Sequence, residues 1–423
     1  MSRTAAIILG GGQGSRLFPL TLWRCKPAMH FGGHYRLIDV PISNAINSGC
    51  NKIYVITQYL STSLHQHIFK TYRCDSFTSG FLELLPAEEK HQNRSWFAGT
   101  ADAVRQNIDY FIDSPVDYFL ILSGDQLYNM DFQEMLHFAK QSQADLVIAT
   151  LPVRENEAKR MGVLQVNEDD FIIDFKEKPQ DKALLNRLQL SDQQRQKFKV
   201  DPDHSQHYLG SMGIYLFKRE TLLELLQTNS GEDFGKHLIP TQVAKGKCAA
   251  YVCEGYWEDI GTIGSYYNAN LALTEARPKF NCYDEARPIF SNHSHLPGAI
   301  IADAHVKNSI ICDGSIVEAD EVSNSILGRR SIIHKGAIIR DSYLMGNEYF
   351  SPRSPSSRLP EQFHIGENCI IRKSIIDMHV RIGRGVQLIN KNNLDNYDGD
   401  NIYIRDGIIV VSRGASIPDG FIL

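Results

Sequence analysis

The feature that most restricts the fold is a period of six in the last third of the chain. From about Leu296, apolar residues return at every sixth position: Ile310, Ile316 and Val322, then Ile332, Ile338 and Leu344, then Ile370, Ile376, Ile382 and Leu388. Glycine, aspartate, asparagine and serine fill the intervals, as in Ile365-Gly366-Glu367-Asn368 and Ile382-Gly383-Arg384-Gly385. A sandwich of unrelated short strands would alternate at two, so it does not account for the pattern. Hexads instead build a left-handed parallel β-helix, in which about three hexads make a coil and each turns its apolar residue inward. Such a stack buries a core but brings no chemistry of its own. Tyr349 to Gln362 breaks the repeat with prolines, serines and arginines and reads as an extruded loop.

The earlier part of the chain has a different rhythm. Ala5-Ala6-Ile7-Ile8-Leu9 is a short apolar run closed by glycines, and similar runs recur at Ile53 to Thr57, Tyr118 to Leu122 and Leu146 to Thr150. Amphipathic stretches such as Phe132 to Gln141 lie between them. Runs of this kind are strands buried on both faces, and their alternation with helices predicts β-α-β units around a mostly parallel sheet, a doubly wound α/β fold. At 423 residues the chain exceeds the roughly 250–300 residues that one core usually serves, so two domains are expected. The boundaries are read as 1–280 for the α/β domain, 281–297 for a proline-punctuated linker and 298–423 for the β-helix.

A formal net charge of -5 provides no basic footprint for nucleic acid or an anionic membrane surface. The eight cysteines are scattered without a C-x-x-C pair, which is the usage of reduced thiols in a cytosol. The apolar run before Gly10 is only five residues long, too short for a signal segment or a membrane span, so neither export nor anchoring is expected.

Chemistry is concentrated in three places. After the first apolar run, Gly10-Gly11-Gly12-Gln13-Gly14-Ser15-Arg16 presents unhindered backbone N–H groups suited to phosphate oxygens, with the cations Arg16 and Lys26 close behind. It is neither a Walker A loop nor a dinucleotide fingerprint, and taken alone a glycine run can also be merely a tight turn. Ser123-Gly124-Asp125 ends another run, where parallel sheets bind ligands, and Asp125 is a reasonable Mg²⁺ ligand or simply a helix cap. Asp259, in Gly255-Tyr256-Trp257-Glu258-Asp259-Ile260-Gly261-Thr262, completes a metal pair if the fold joins the two. Lys178, in Phe175-Lys176-Glu177-Lys178-Pro179, precedes proline; an extended backbone is expected there, aiming a cation at a sugar phosphate, although mixed charge runs are commonly solvated faces. Trp96 to Ala103 offers aromatic surface beside small residues and a helix start.

Together these segments resemble the ADP-glucose pyrophosphorylase family, the glucose-1-phosphate adenylyltransferases of bacterial glycogen and plant starch synthesis. The likeness spans nearly the whole chain. It rests on Gly10 to Thr21, Arg24-Cys25-Lys26-Pro27-Ala28, Gly32 to Asp39, Gly99 to Ala103, Ser123-Gly124-Asp125, Glu177-Lys178-Pro179, Ser211 to Tyr215, Asp233-Phe234-Gly235 and Gly255 to Thr262. The resemblance implies a Rossmann-like nucleotidyltransferase domain, a C-terminal β-helix and a cytoplasmic homotetramer controlled by a small phosphorylated effector. It places Arg16 and Lys26 on the ATP triphosphate, Asp125 and Asp259 on Mg²⁺, and Leu9, Gly10, Gly11, Gly12, Gly14, Ser15, Gly99 and Thr100 around the nucleotide. Phe97, Gly162, Glu177, Lys178 and Ser211 fall around glucose 1-phosphate. Phe97 stands where tyrosine is common, and Ser15 where threonine is. Arg36, Lys391 and Arg413 are implied effector contacts, with Arg413 replacing the usual lysine; both bind phosphate, with different geometry.

The expected reaction is attack by a phosphate oxygen of glucose 1-phosphate on the α-phosphorus of ATP, giving ADP-glucose and pyrophosphate without a covalent enzyme intermediate. Three rivals are a silent regulatory subunit, a related enzyme with another nucleotide or sugar, and a hexapeptide-repeat acyltransferase. The first tends to lose the cations at Arg16 and Lys26, and the last leaves the N-terminal domain unexplained.

Overall fold

The computed structural model describes residues 1, 3–73, 80–88, 96–200, 206–292, 295–351 and 362–423. Most of the proposed loop after Tyr349, residues 352–361, lies outside the described residues, as does Cys74.

The α/β domain is built on a nine-stranded sheet. Its strands are β1 (Thr4–Leu9), β2 (Lys52–Thr57), β3 (Phe81–Pro86), β4 (Tyr118–Ser123), and, after a short β5 (Gln126–Tyr128) outside the sheet, β6 (Leu146–Arg154), β7 (Gly162–Val166), β8 (Ile172–Glu177), β9 (Gln206–Lys218) and β10 (Cys248–Val252). The order is β8-β7-β9-β4-β1-β2-β3, with β6 joining β9 and β10. Only β8 and β9 run against the rest, so the sheet is mostly parallel. The apolar runs form strands because both faces are covered: Ile7, Phe119 and Ile121 enter one core, Ala6, Ile8, Leu120 and Leu122 the other, all at 0% exposure. The amphipathic stretch at Phe132 is a helix, Phe132–Ser142, whose N-cap Asp131 accepts a bond from the Gln133 amide.

In the C-terminal third, short parallel strands pair with strands 16 or 17 residues further on: Ile316 with Ile332, Val322 with Ile339, Ile326 with Tyr343. A coil is therefore slightly shorter than three full hexads. Three sheets form the three faces of a prism. The inward residue also differs from the expected one at several hexads. Val317, Ile339 and Ile371 are buried at 0%, whereas the preceding Ile316, Ile338 and Ile370 are exposed or half-buried. Each belongs to an apolar doublet, and in a strand the two members point to opposite faces. Period alone does not say which member is inside.

Left-handed backbone turns the chain at the corner before the third face. Asn308, Asn324, Asp341 and Lys373, with φ of 45–47°, stack above one another. Each is followed by a serine, and the hydroxyls form a ladder: Ser325 N donates to Ser309 Oγ at 3.2 Å, Ser342 N to Ser325 Oγ at 3.1 Å and Ser374 N to Ser342 Oγ at 3.3 Å. Asparagine and aspartate tolerate αL better than other non-glycine residues, and Asn324 Nδ2 donates to Asp341 Oδ1 at 3.1 Å, tying one coil to the next.

The third face is apolar on both sides. Leu327, Leu344, Ile376 and Val411 fill the lumen, while Ile326, Tyr343, Ile375 and Val410 pack outward on Phe31, Tyr266 and Tyr267 of the α/β domain. Gly33 sits at this junction with φ of 72°; a Cβ there would lie 2.8 Å from Cys312 Sγ. Tyr267 OH donates to the Asp341 carbonyl at 2.5 Å.

Candidate active site

The glycine loop leaves β1 at the carboxyl end of the sheet, one strand away from the end of β4, where Leu9 pairs with Ser123. Gly10 N donates to the Ile56 carbonyl at 2.8 Å, and Gly124 N to Leu9 O at 3.0 Å, which ties the loop to the turn bearing Asp125. Gly14 is left-handed, and a Cβ on it would stand 3.2 Å from Lys26 Cβ, so the lysine stem lies against the loop. Gly12 faces open space. Ser15 and Arg16 open a 3-10 turn and are exposed.

Asp125 lies between β4 and β5, and the strand β11 (Trp257–Asp259) pairs antiparallel with β5 so that Asp259 stands opposite Gln126. This small ribbon joins the two carboxylates that are 134 positions apart in sequence. Lys26 Nζ lies between them, 2.5 Å from Asp125 Oδ2 and 3.5 Å from Asp259 Oδ1. Burial works against the Lys26 charge, but the two carboxylates outweigh it and raise its pKa above the ordinary lysine value. Burial likewise pushes Asp125 upward, and Lys26 together with the Ser123 hydroxyl, 2.5 Å from Oδ1, holds it below the usual carboxylate value. Arg16 joins the group: its Nη2 and Asp259 Oδ2 both lie 3.5 Å from where a Cβ on Gly261 would be.

Asp125 and Asp259 fit a hard divalent cation. Two carboxylate oxygens already converge on one positive centre, and Mg²⁺ takes one or two protein carboxylates with phosphate oxygens and waters. Among the described residues there is no larger His, Cys, Asp and Glu cluster of metal-binding geometry.

A second group lies along β7, β8 and β9. Gly162 pairs with Glu177, and a Cβ on Gly162 would lie 2.5 Å from the Phe175 ring and 3.0 Å from Glu177 Oε2. Gly235 yields to the same oxygen, so two glycines clear space for one carboxylate. Burial raises Glu177 above its ordinary pKa, partly opposed by Lys178 and reinforced by Asp233. Lys178 is not extended as expected. Its φ is 48°, its N–H donates to the Met161 carbonyl at 3.1 Å, and Nζ lies 3.4 Å from Glu177 Oε1. Proline disfavours the right-handed helical region for the residue before it, and the backbone bond to Met161 selects the left-handed turn. Ser211 is buried, with Oγ accepting from Gly213 N at 3.2 Å, and Gly213 approaches Gln126 beside Asp125.

Gly99 and Thr100 begin the helix Thr100–Gln106. Its first free amides, Ala101 and Asp102, donate to the Glu232 carbonyl at 2.8 and 3.1 Å, and Thr100 Oγ1 donates to Asp233 Oδ2 at 3.1 Å. Phe97 N donates to Gln58 Oε1 at 2.8 Å, and Gln58 also borders Gly11. Trp96 is exposed.

Two of the three implied effector residues meet. Arg36 Nη2 and Arg413 Nη2 lie 3.8 and 3.4 Å from the two oxygens of Glu348. Burial and the neighbouring Arg24 lower the Arg36 pKa to about 10. Lys391 is exposed after the last strand of the second face, where its amide donates to the Leu423 carbonyl, whereas Arg413 follows the third face. The structure thus does not group Lys391 with the pair. Residues that sequence reasoning left without a role are Ser123, Gln126, Gln58, Asp233, Arg24 and Asp377. Only Ser123 carried a local signal, as the hydroxyl two positions before an aspartate.

Residues 5–276 match the family model described as nucleotidyl transferase, and residues 294–422 match the GLGC left-handed parallel β-helix domain. The two together are the hallmark architecture of ADP-glucose pyrophosphorylase-type proteins. No helix of the described residues is long and apolar enough to cross a membrane.

Proposed function

Because the chain belongs to the nucleotidyl transferase family and carries the GLGC-type β-helix, we propose that it is a glucose-1-phosphate adenylyltransferase, converting ATP and glucose 1-phosphate into ADP-glucose and pyrophosphate. The observation that carries the reading is Lys26 Nζ held between Asp125 and Asp259 against the glycine loop. Backbone N–H groups of the loop bind triphosphate oxygens, and Lys26 and Arg16 supply positive charge where pyrophosphate departs. Asp125 and Asp259 would hold Mg²⁺, which when bound neutralises phosphate charge and orients the triphosphate. Glu177, in its glycine-cleared niche beside Gly162, accepts hydrogen bonds from sugar hydroxyls, and Lys178 with Ser211 orients the attacking phosphate. An in-line displacement of this kind needs positioning and charge stabilisation more than any covalent group.

The same reading assigns Arg36 and Arg413 to a small phosphorylated effector, in a cytoplasmic homotetramer. Glu348 already draws the two guanidinium groups together, as an anion would. The retained Arg16 and Lys26 disfavour a silent subunit. The test is pyrophosphate release by the purified chain with each nucleoside triphosphate and a set of sugar 1-phosphates, with and without phosphorylated metabolites. ATP with glucose 1-phosphate is expected to be the preferred pair; inactivity with that pair under every condition overturns the assignment.

A further inference from the structure

The segment from Arg24 to Met29 is six consecutive buried residues, following the exposed Leu22 and Trp23. One end meets the β-helix and the middle meets the candidate active site. Arg24 is 1% exposed; its Nη2 donates to Asp377 Oδ1 at 2.7 Å, and its Nη1 lies 3.4 Å from Met345 Sδ. Both partners belong to the β-helix, and Asp377 is held by its own turn through the Met378 amide at 2.6 Å. Two residues after Arg24 comes Lys26, whose stem is pressed on Gly14 and whose Nζ lies between Asp125 and Asp259. Between them Cys25 is fully buried, and its carbonyl accepts the Ala28 amide at 3.0 Å, so little slack separates the two cations.

A buried ion pair contributes little net stability, because desolvation offsets attraction, and apolar residues of similar volume often replace one without loss. What such a pair supplies well is direction. We propose that Asp377, acting through Arg24, is a positioning residue that sets the place of Lys26 Nζ between the two site carboxylates, so that the β-helix takes part in assembling the triphosphate site. The inference rests on the reading of Lys26 as the triphosphate cation. It makes docking of the β-helix a condition for catalytic geometry, beyond any role in stacking or assembly.

The test uses the full chain with three changes: Asp377→Asn, the apolar double replacement Arg24→Met with Asp377→Leu, and Tyr267→Phe, which removes a different interdomain hydrogen bond, the one to the Asp341 carbonyl. Reductive methylation with formaldehyde and borohydride, followed by peptide mass spectrometry, reads the reactivity of Lys26 against that of the exposed Lys199. Leaving its buried place between the carboxylates opens the amine to the reagent, so Lys26 in the first two variants should label about threefold faster or more. In the same variants kcat for pyrophosphate release should fall about tenfold or more, with KM for the sugar phosphate unchanged. Tyr267→Phe should leave both readings at the original level. Unaltered Lys26 labelling in the folded double variant overturns the proposal, as does an equal effect from Tyr267→Phe. Wild-type protein that releases no pyrophosphate removes the functional reading instead, and the labelling comparison still judges the positioning.

Discussion

Asp125 and Glu177 are both half-buried carboxylates, yet their surroundings drive their pKa values in opposite directions. Asp125 is held low by Lys26 and the Ser123 hydroxyl against the opposing effect of burial, so it stays ionised across the neutral and mildly acid range. Asp125→Asn removes that charge while keeping the shape, and kcat should drop by about 10²-fold or more while KM changes little, measured by steady-state pyrophosphate release. Glu177 is shifted the other way. Its burial favours the neutral form, so its proton is taken up at a higher pH than for an ordinary glutamate. As pH falls through that raised value, the carboxylate loses the ability to accept sugar hydroxyls, and KM for the sugar phosphate should rise while kcat, set by Asp125, holds. In Glu177→Gln that acid limb should vanish from the KM profile; a limb that persists would assign it to another group. The sequence singled out both residues as candidates, but not their opposite shifts, because Lys26 and Gly235 reach them only through the fold.

At the scale of elements, the β-helix is held at its corners as well as in its lumen. The serine ladder satisfies backbone amides that the turn leaves without strand partners, and Ser342 both accepts from Ser374 N and donates to the Arg340 carbonyl. Ser342→Ala leaves a buried amide unpaired and should cost about 1–3 kcal/mol, read as a lowered urea midpoint with an unchanged slope. The recurring Asn-Ser, Asp-Ser and Lys-Ser pairs are visible in the sequence, yet their meaning depends on the stacking of one coil on the next. The hexads were legible for the same reason that their phase was not. Apolar doublets announce a strand but leave its sidedness open, and on the third face the ambiguity is physical, because both sides are covered. The β-α-β order of the first domain was clearer, since a strand buried on both faces needs no choice of side.

For the whole molecule, the outward residues Ile326, Tyr343, Ile375 and Val410 make one wall of the β-helix a mate for the α/β domain. A chain cut within 281–297 should therefore yield a β-helix fragment that exposes this wall, binds a hydrophobic dye and associates, whereas Ile326→Asp in the intact chain should loosen the junction and raise protease cleavage there. Clean, monomeric behaviour of the fragment would contradict that prediction. The two kinds of architecture and the residue types of the site are written in the amino-acid order alone, because periodicity follows from burial and phosphate chemistry follows from glycine, cations and carboxylates. It took the folded chain to bring Asp259 beside Asp125, to turn Lys178 left-handed, and to set Arg36 and Arg413 around Glu348 with Lys391 on another face. Those outcomes depend on strand pairing and domain docking between residues far apart in the chain, and local sequence carries no record of which distant partner fills a given space.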